Sequence, residues 1–256
     1  MRRLLARLFG TPHEAAAPAG AAPQPVWAER TWMSGDGLSL WARDYGGAGG
    51  PARLPVICLH GLTRNSRDFE DVAPAIAATG RRVLALDVRG RGRSAYDPNP
   101  TNYNPAVYAG DVASLMGEAG IARAIFLGTS MGGLITMTLS TVRPDLIAGA
   151  ILNDIGPEIA TEGLTRIGSY VGSGGPAASW AEAAERTRAI NGSAQPHLTD
   201  ADWDRFARRT WREVEPGKLV LDYDPAIAQA FAATPAGTPS PDLWPLFMAL
   251  AINRPM

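Results

Sequence analysis

From residue 29 onward, short uninterrupted apolar runs alternate with longer stretches in which apolar residues recur every three or four positions. That rhythm predicts buried strands joined by amphipathic crossover helices, as in a mostly parallel sheet. At its start, "RTWMSGDGLSLWARDY" holds two strand-like runs around Ser34-Gly35-Asp36-Gly37, which reads as a hairpin forming an antiparallel edge. "LPVICLHG" is almost entirely apolar, as a strand covered on both faces must be. The strands "RRVLALD", "AIFLGT" and "AGAILND" follow, with helices predicted near residues 66–78, 105–119 and from Ser130 to about Val142. Gly80, Gly120 and the pair Arg143-Pro144 stand where these helices should stop.

After Asp154 the alternation ends. "SWAEAAERTRAI" and "DADWDRFARRTW" are helical in pattern and are separated by Gly/Pro/Ser-rich pieces, so a helical lobe inserted into the sheet domain is expected. "PDLWPLFMAL" then reads as a helix and "NRPM" as the start of another strand. The predicted organisation is a tail and linker over residues 1–26, a core over 27–155, a helical cap over 156–240 and a return to the core over 241–256. The first ten residues, with Leu4, Leu5, Leu8 and Phe9 on one face and Arg2, Arg3 and Arg7 elsewhere, form a short basic amphipathic segment, the one candidate for membrane contact. The Ala/Pro-rich residues after it have nothing to bury.

Composition narrows the function classes. A chain of 256 residues with 46% hydrophobic residues can bury a full core, and a net charge of -1 without a basic block argues against nucleic-acid binding. The single cysteine, Cys58, lies inside an apolar run and reads as a small buried residue, compatible with a reducing compartment; a cytoplasmic location is expected. Three scattered histidines and one cysteine do not assemble a metal site, and "VRGRGRS" lacks the lysine-serine pair of a phosphate loop, so neither metal nor organic cofactor is expected.

The candidate chemistry is in "FLGTSMGG". Ser130 falls between a predicted strand and a predicted helix, with Gly128 and Gly132 on either side, a Gly-x-Ser-x-Gly string in the setting that gives it meaning. A sharp turn there strains the serine backbone, and small neighbours let strand and helix pass. The bland alternative is a serine that simply starts a helix. "CLHGLTRN" places His60-Gly61 at the end of a buried strand, and "LDVRGRGRS" supplies a polar glycine-rich loop at the end of the next one. All three segments lie at carboxyl ends of parallel strands, where open α/β sheets bind ligands.

Taken together, "LHG" at 59–61, D-x-R-G-x-G-x-S at 87–94, "GTSMGG" at 128–133 and "LNDIGP" at 152–157 resemble the α/β-hydrolase superfamily, in its esterase, lactonase and carbon-carbon hydrolase branch with a helical cap. The resemblance covers about residues 30–256 and implies an α/β-hydrolase fold with a mostly parallel sheet, an antiparallel N-terminal hairpin and an inserted helical cap. It implies Ser130 as nucleophile, the amides of Leu62 and Met131 as oxyanion hole, and His60 with Gly61 as the loop that shapes this hole. Asp87 and Arg89 are expected to tie down their loop. Asp154 is either the acid that orients a histidine or a carboxylate capping the "DIGP" turn. The implied partner is a small-molecule substrate, and the oligomeric state is left open. Tyr170, Trp180, Trp203, Trp211 and Tyr223 are read mainly as core of the lobe, with one or two lining a pocket.

The superfamily order is serine, acid, histidine, with the histidine after the last strand. The three histidines here are His13, His60 and His197, and none follows the lobe. Residues 241–256 reach only the helix before the seventh strand, so the C-terminal strands and the general-base histidine are expected to be missing. His197, after Pro196 and before the Thr199-Asp200 helix start, reads as a surface loop residue. Three readings follow: a shortened hydrolase, a non-catalytic relative that keeps its pocket, or an enzyme using Asp154, His197 or water instead. Loss of a triad member costs about 10⁴ to 10⁶ in rate, so this chain is expected to be nearly inert.

Overall fold

The computed structural model describes residues 26–47, 53–229 and 242–252. A six-stranded sheet runs in the order β1-β2-β4-β3-β5-β6. Its members are β1 (Ala28–Met33), β2 (Ser39–Tyr45), β3 (Val56–Leu59), β4 (Val83–Asp87), β5 (Ala124–Thr129) and β6 (Ile147–Asn153). The hairpin β1-β2 pairs Ala28 with Asp44 and Met33 with Ser39, and β2 continues antiparallel onto β4. From β4 to β6 all pairings are parallel. Every residue of β3 and β4 is buried, which is why both read as unbroken apolar runs. Cys58 is buried there as a free thiol, and burial pushes its pKa up to about 12, so it is an inert core residue.

The helices of this unit are α1 (Val72–Ala77), α2 (Pro105–Glu118) and α3 (Met131–Val142). Asn104 caps α2 by accepting from the amides of Ala106 and Val107, and Pro105 begins the helix where no amide donor is needed. Gly80 and Gly120 follow α1 and α2 with positive φ. The helix predicted over residues 66–78 is instead a 3-10 turn, Ser66–Phe69, followed by the short α1. Pro74 is the reason: it has no N–H to donate to Glu70, and its ring crowds that carbonyl.

After β6 come α4 (Thr161–Tyr170), α5 (Trp180–Asn191) and α6 (Asp200–Thr210), and then a hairpin of β7 (Trp211–Glu215) and β8 (Lys218–Leu221). The all-helical lobe is therefore corrected to helices plus a hairpin, which Pro216-Gly217 turns with Gly217 at φ 73°. Thr199 and Asp202 form a reciprocal capping box at the start of α6. Ala183, Ala207, Trp211 and Leu219 make a small core of their own. The segment is tied to the sheet unit by Asn65, whose Nδ2 donates to the Arg209 carbonyl and to Asp222. Backbone bonds from Gly92 to Asp222 and from Asp224 to Gly90 add to that seam.

The last described element is α7 (Trp244–Ala251), packed on α3. Residues 1–25 of the predicted tail and the "NRPM" strand start lie outside the described residues, as do residues 230–240 at the end of the predicted cap. Among the described residues no helix is long and apolar enough to cross a membrane.

Candidate active site

Because β3 to β6 are parallel, Leu59, Asp87, Thr129 and Asn153 end on the same side of the sheet. Ser130 sits there between β5 and α3, with φ 49° and ψ −112°, a conformation a non-glycine residue adopts only under constraint. The constraint is visible. The Ser130 amide donates to the Asn153 carbonyl at 2.8 Å, extending the β5-β6 ladder by one rung. Its carbonyl accepts from Gly133 and Leu134, which starts the helix in the very next residue. Strand and helix can turn this sharply because a β-carbon on Gly128 would meet the Gly132 backbone at 2.5 Å, and one on Gly132 would meet the Leu59 carbonyl oxygen at 2.0 Å.

The Ser130 side chain makes no capping bond, so the bland alternative of a helix-start serine is not realised. The hydroxyl is half-buried and has no hydrogen-bond partner among the described residues. Beside it lies the loop after β3: a β-carbon on Gly61 would sit 3.9 Å from Ser130 Cβ. The Met131 and Leu62 amides have no hydrogen-bond acceptor among the described residues. Met131 is the first residue of α3, so its N–H also lies at the positive end of that helix.

His60 is fully buried and both ring nitrogens are engaged. Nε2 accepts from the Val88 amide at 3.1 Å, which leaves Nδ1 to carry the proton and donate to the Gly61 carbonyl at 2.7 Å. That carbonyl belongs to the same peptide as the Leu62 N–H, so His60 fixes the plane of a free amide. Burial lowers the His60 pKa to about 4. The unfolded chain takes up this proton below about pH 6.5 and the folded chain only below about 4, so stability is full above 6.5 and falls as pH drops through that window. We expect a loss of about 3 kcal/mol from this group between pH 7 and pH 4, present in denaturant titrations of the parent and absent from His60→Gln.

Asp87 and Arg89 hold the loop after β4, as the sequence indicated. Asp87 accepts from the amides of Ser66 and Arg93, and Arg89 is buried in a fork with Asp111, Asp97 and Asp36. Asp154 follows Asn153 with φ 57°, and its carboxylate is exposed with no hydrogen bond among the described residues, so the predicted capping of the "DIGP" turn is not made. His197 is exposed in the connection before α6. Between the lobe and the β3 loop lies a cleft lined by Thr63, Arg64, Tyr170, Thr210, Trp211 and Tyr223. Three of the five lobe aromatics thus face it, more than the one or two expected. A larger cavity of about 320 Å³ lies between Tyr96, Arg212 and Tyr223, and Ser130 is among the lining residues of neither.

Sequence reasoning missed Arg91, which is fully buried and donates to the Leu62 carbonyl and the Met131 sulfur. Its only signal was a second arginine in a loop whose first arginine, Arg89, already had a role.

A strained serine at a strand-helix elbow, with unpaired amides at Met131 and Leu62, on a mostly parallel sheet with an antiparallel N-terminal hairpin, matches the α/β-hydrolase pattern. The chain belongs to the alpha/beta hydrolase family, whose profile, described as "alpha/beta hydrolase fold", matches residues 55–213. By that membership it is a hydrolase. It is 33% identical over 217 residues to the 3-hydroxybutyrate-oligomer hydrolase of Cupriavidus necator, covering 79% of this chain and 71% of that protein. It is 35% identical over 124 residues to the sn-1-specific diacylglycerol lipase ABHD11 of Mus musculus, a match covering 48% of this chain and 39% of the lipase. The crystal structure of an alpha/beta hydrolase from Novosphingobium aromaticivorans superposes with a TM-score of 0.82 at 44% identity, covering 89% of this chain and 79% of that one.

Proposed function

We propose that this protein hydrolyses a carboxylic ester or lactone through Ser130. The observation that carries the reading is the Ser130 elbow, since a strained backbone is retained where it serves function. Ser130 Oγ attacks the acyl carbon and the carbonyl electrons move onto oxygen. The amides of Leu62 and Met131 hold that oxyanion, and their freedom from other acceptors supports the assignment. The serine proton passes through solvent to the leaving oxygen as the intermediate collapses and the alcohol departs, and a water then adds to the acyl carbon, its proton returning to Ser130 Oγ as the acid is released. Residues 156–240 act as the cap that shapes the substrate cleft, and Asp154 is the candidate acid. The name of the Cupriavidus relative makes esters of short hydroxy acids the first substrates to try.

In this reading no histidine among the described residues serves as the general base. His60 has both nitrogens committed, His197 is exposed in the lobe, and His13 lies outside the described residues. The same observation favours a second reading, a relative that binds a small molecule without turning it over. Labelling with a fluorophosphonate separates them, with and without imidazole as an external base. We expect slow labelling, abolished in Ser130→Ala and accelerated at least about tenfold by imidazole. Absence of labelling under both conditions, with retained ligand binding in the cleft, would favour the second reading.

A further inference from the structure

We infer that Arg91 is a positioning residue for the oxyanion hole, holding both of its donors and supplying fixed positive charge behind them. The inference rests on the Ser130 reading above. Arg91 is fully buried, and among the described residues it forms no ion pair. Its donors go elsewhere. Nε donates to the Leu62 carbonyl at 2.9 Å, one terminal nitrogen to the Arg89 carbonyl and the Tyr108 hydroxyl at 2.8 Å each, and the other to the Met131 sulfur at 3.4 Å. One guanidinium therefore grips Leu62 and Met131, the two residues whose amides the proposed reading assigns to the oxyanion hole.

The contacts divide the work with His60. His60 fixes the Gly61-Leu62 peptide, which carries the N–H, while Arg91 fixes the Leu62-Thr63 peptide on the other side, so Leu62 is held at both ends. At Met131 the side chain is held, and with it the first residue of α3. The rings of Tyr108 and Tyr103, with centroids 5.0 and 5.7 Å from the guanidinium carbon, offer the cation weak compensation.

An unpaired buried cation is costly, because its hydration is lost with no counter-charge to replace it. Arg89, two residues earlier, shows what this loop does when a guanidinium is only a brace: it is surrounded by three carboxylates. Arg91 lacks them, and the negative charge that would balance it is the oxyanion that forms during acyl transfer. Fixed charge aimed at where charge develops stabilises the transition state over the ground state. The backbone of Arg91 also bridges to Tyr223, so the hole is braced from the seam where the lobe meets the sheet.

The test reads oxyanion stabilisation without requiring a general base. n-Butylboronic acid adds to a serine: an Oγ lone pair forms the B–O bond, the hydroxyl proton leaves to water, and a tetrahedral anion results. Its dissociation constant is compared with that of n-pentanol, an uncharged ligand of similar size, in the full chain and in Arg91→Met and Arg91→Lys. We expect Ser130-dependent boronate binding in the parent, weakened about tenfold or more in Arg91→Met, with pentanol binding within about twofold of the parent. Arg91→Lys, which keeps the charge and loses the fork, is expected to fall between and serves if the methionine variant does not fold. Equal loss for both ligands, or none for either, overturns the inference while leaving the serine reading intact. Boronate binding that persists in Ser130→Ala, or its absence from the parent, overturns both.

Discussion

Replacing Gly132 with alanine is expected to remove most of the stability of the sheet unit, roughly 4 kcal/mol or more, and with it any reactivity of Ser130. The new β-carbon would lie 2.0 Å from the Leu59 carbonyl oxygen and 2.6 Å from its carbon. Neither atom belongs to a side chain that can swing away. Relief requires α3 to move off β3, and β3 is central in the sheet, paired with both β4 and β5. The same displacement pulls Met131 away from the loop that carries Leu62. Gly110→Ala is the matched control, because a β-carbon at that position in α2 meets nothing within 4 Å, and alanine there is expected to stabilise by up to about 1 kcal/mol. Equilibrium denaturation of the two variants measures both effects. A Gly132→Ala protein with parental stability would mean that the elbow is not as tightly closed as the Leu59 contact requires.

That contact also explains why the core of the fold was legible from sequence. β3 and β4 are covered on both faces, so their residue choice is dictated by burial alone and leaves a run that can be read by eye. The elbow was legible for the related reason that only near-absent side chains fit between β3, β5 and α3. Two elements resisted. Pro74 split the helix expected over 66–78, since periodicity records which faces are apolar and not where a backbone donor is lacking. In the lobe, β7 is exposed beyond Trp211 and β8 buries only Leu219, so neither shows a two-residue alternation, and Pro216-Gly217 was the one strong signal that the helical rhythm of α5 and α6 had ended. Arg91 could not be placed at all. Its partners are two backbone carbonyls, a phenol and a thioether, and no residue pattern advertises a carbonyl as a partner.

Arg89 makes the opposite case, and its removal is the second large expected effect. Its guanidinium meets Asp111 through two bonds of 2.6 and 2.7 Å, Asp36 through two of 2.9 and 3.0 Å, and Asp97 through a further bond. Asp111 and Asp97 are themselves buried, so this is a cation satisfied on all sides. Arg89→Met keeps much of the stem's volume and strips the charge, leaving buried carboxylates facing one another without a counter-ion. The expected cost is about 3–5 kcal/mol at neutral pH, the range for breaking a buried pair by deleting one member. The sign of its pH dependence follows from Asp111, whose carboxyl burial pushes above the usual carboxylate range even with Arg89 present. Without Arg89 that pKa rises further, so the folded variant holds a proton that the unfolded chain releases. Its stability therefore falls as pH rises through the interval between the unfolded and folded values, and recovers on acidification. Asp36 works the other way in the parent: Arg89 holds its carboxyl below the usual range, a stabilising effect present above about pH 4, lost as pH falls below that, and discounted because the group is largely exposed. Both effects narrow the gap between parent and variant in acid, so urea titrations should show the difference largest near pH 7 and shrinking toward pH 4. A gap that stayed constant across that range would mean the carboxylates find other donors once Arg89 is gone.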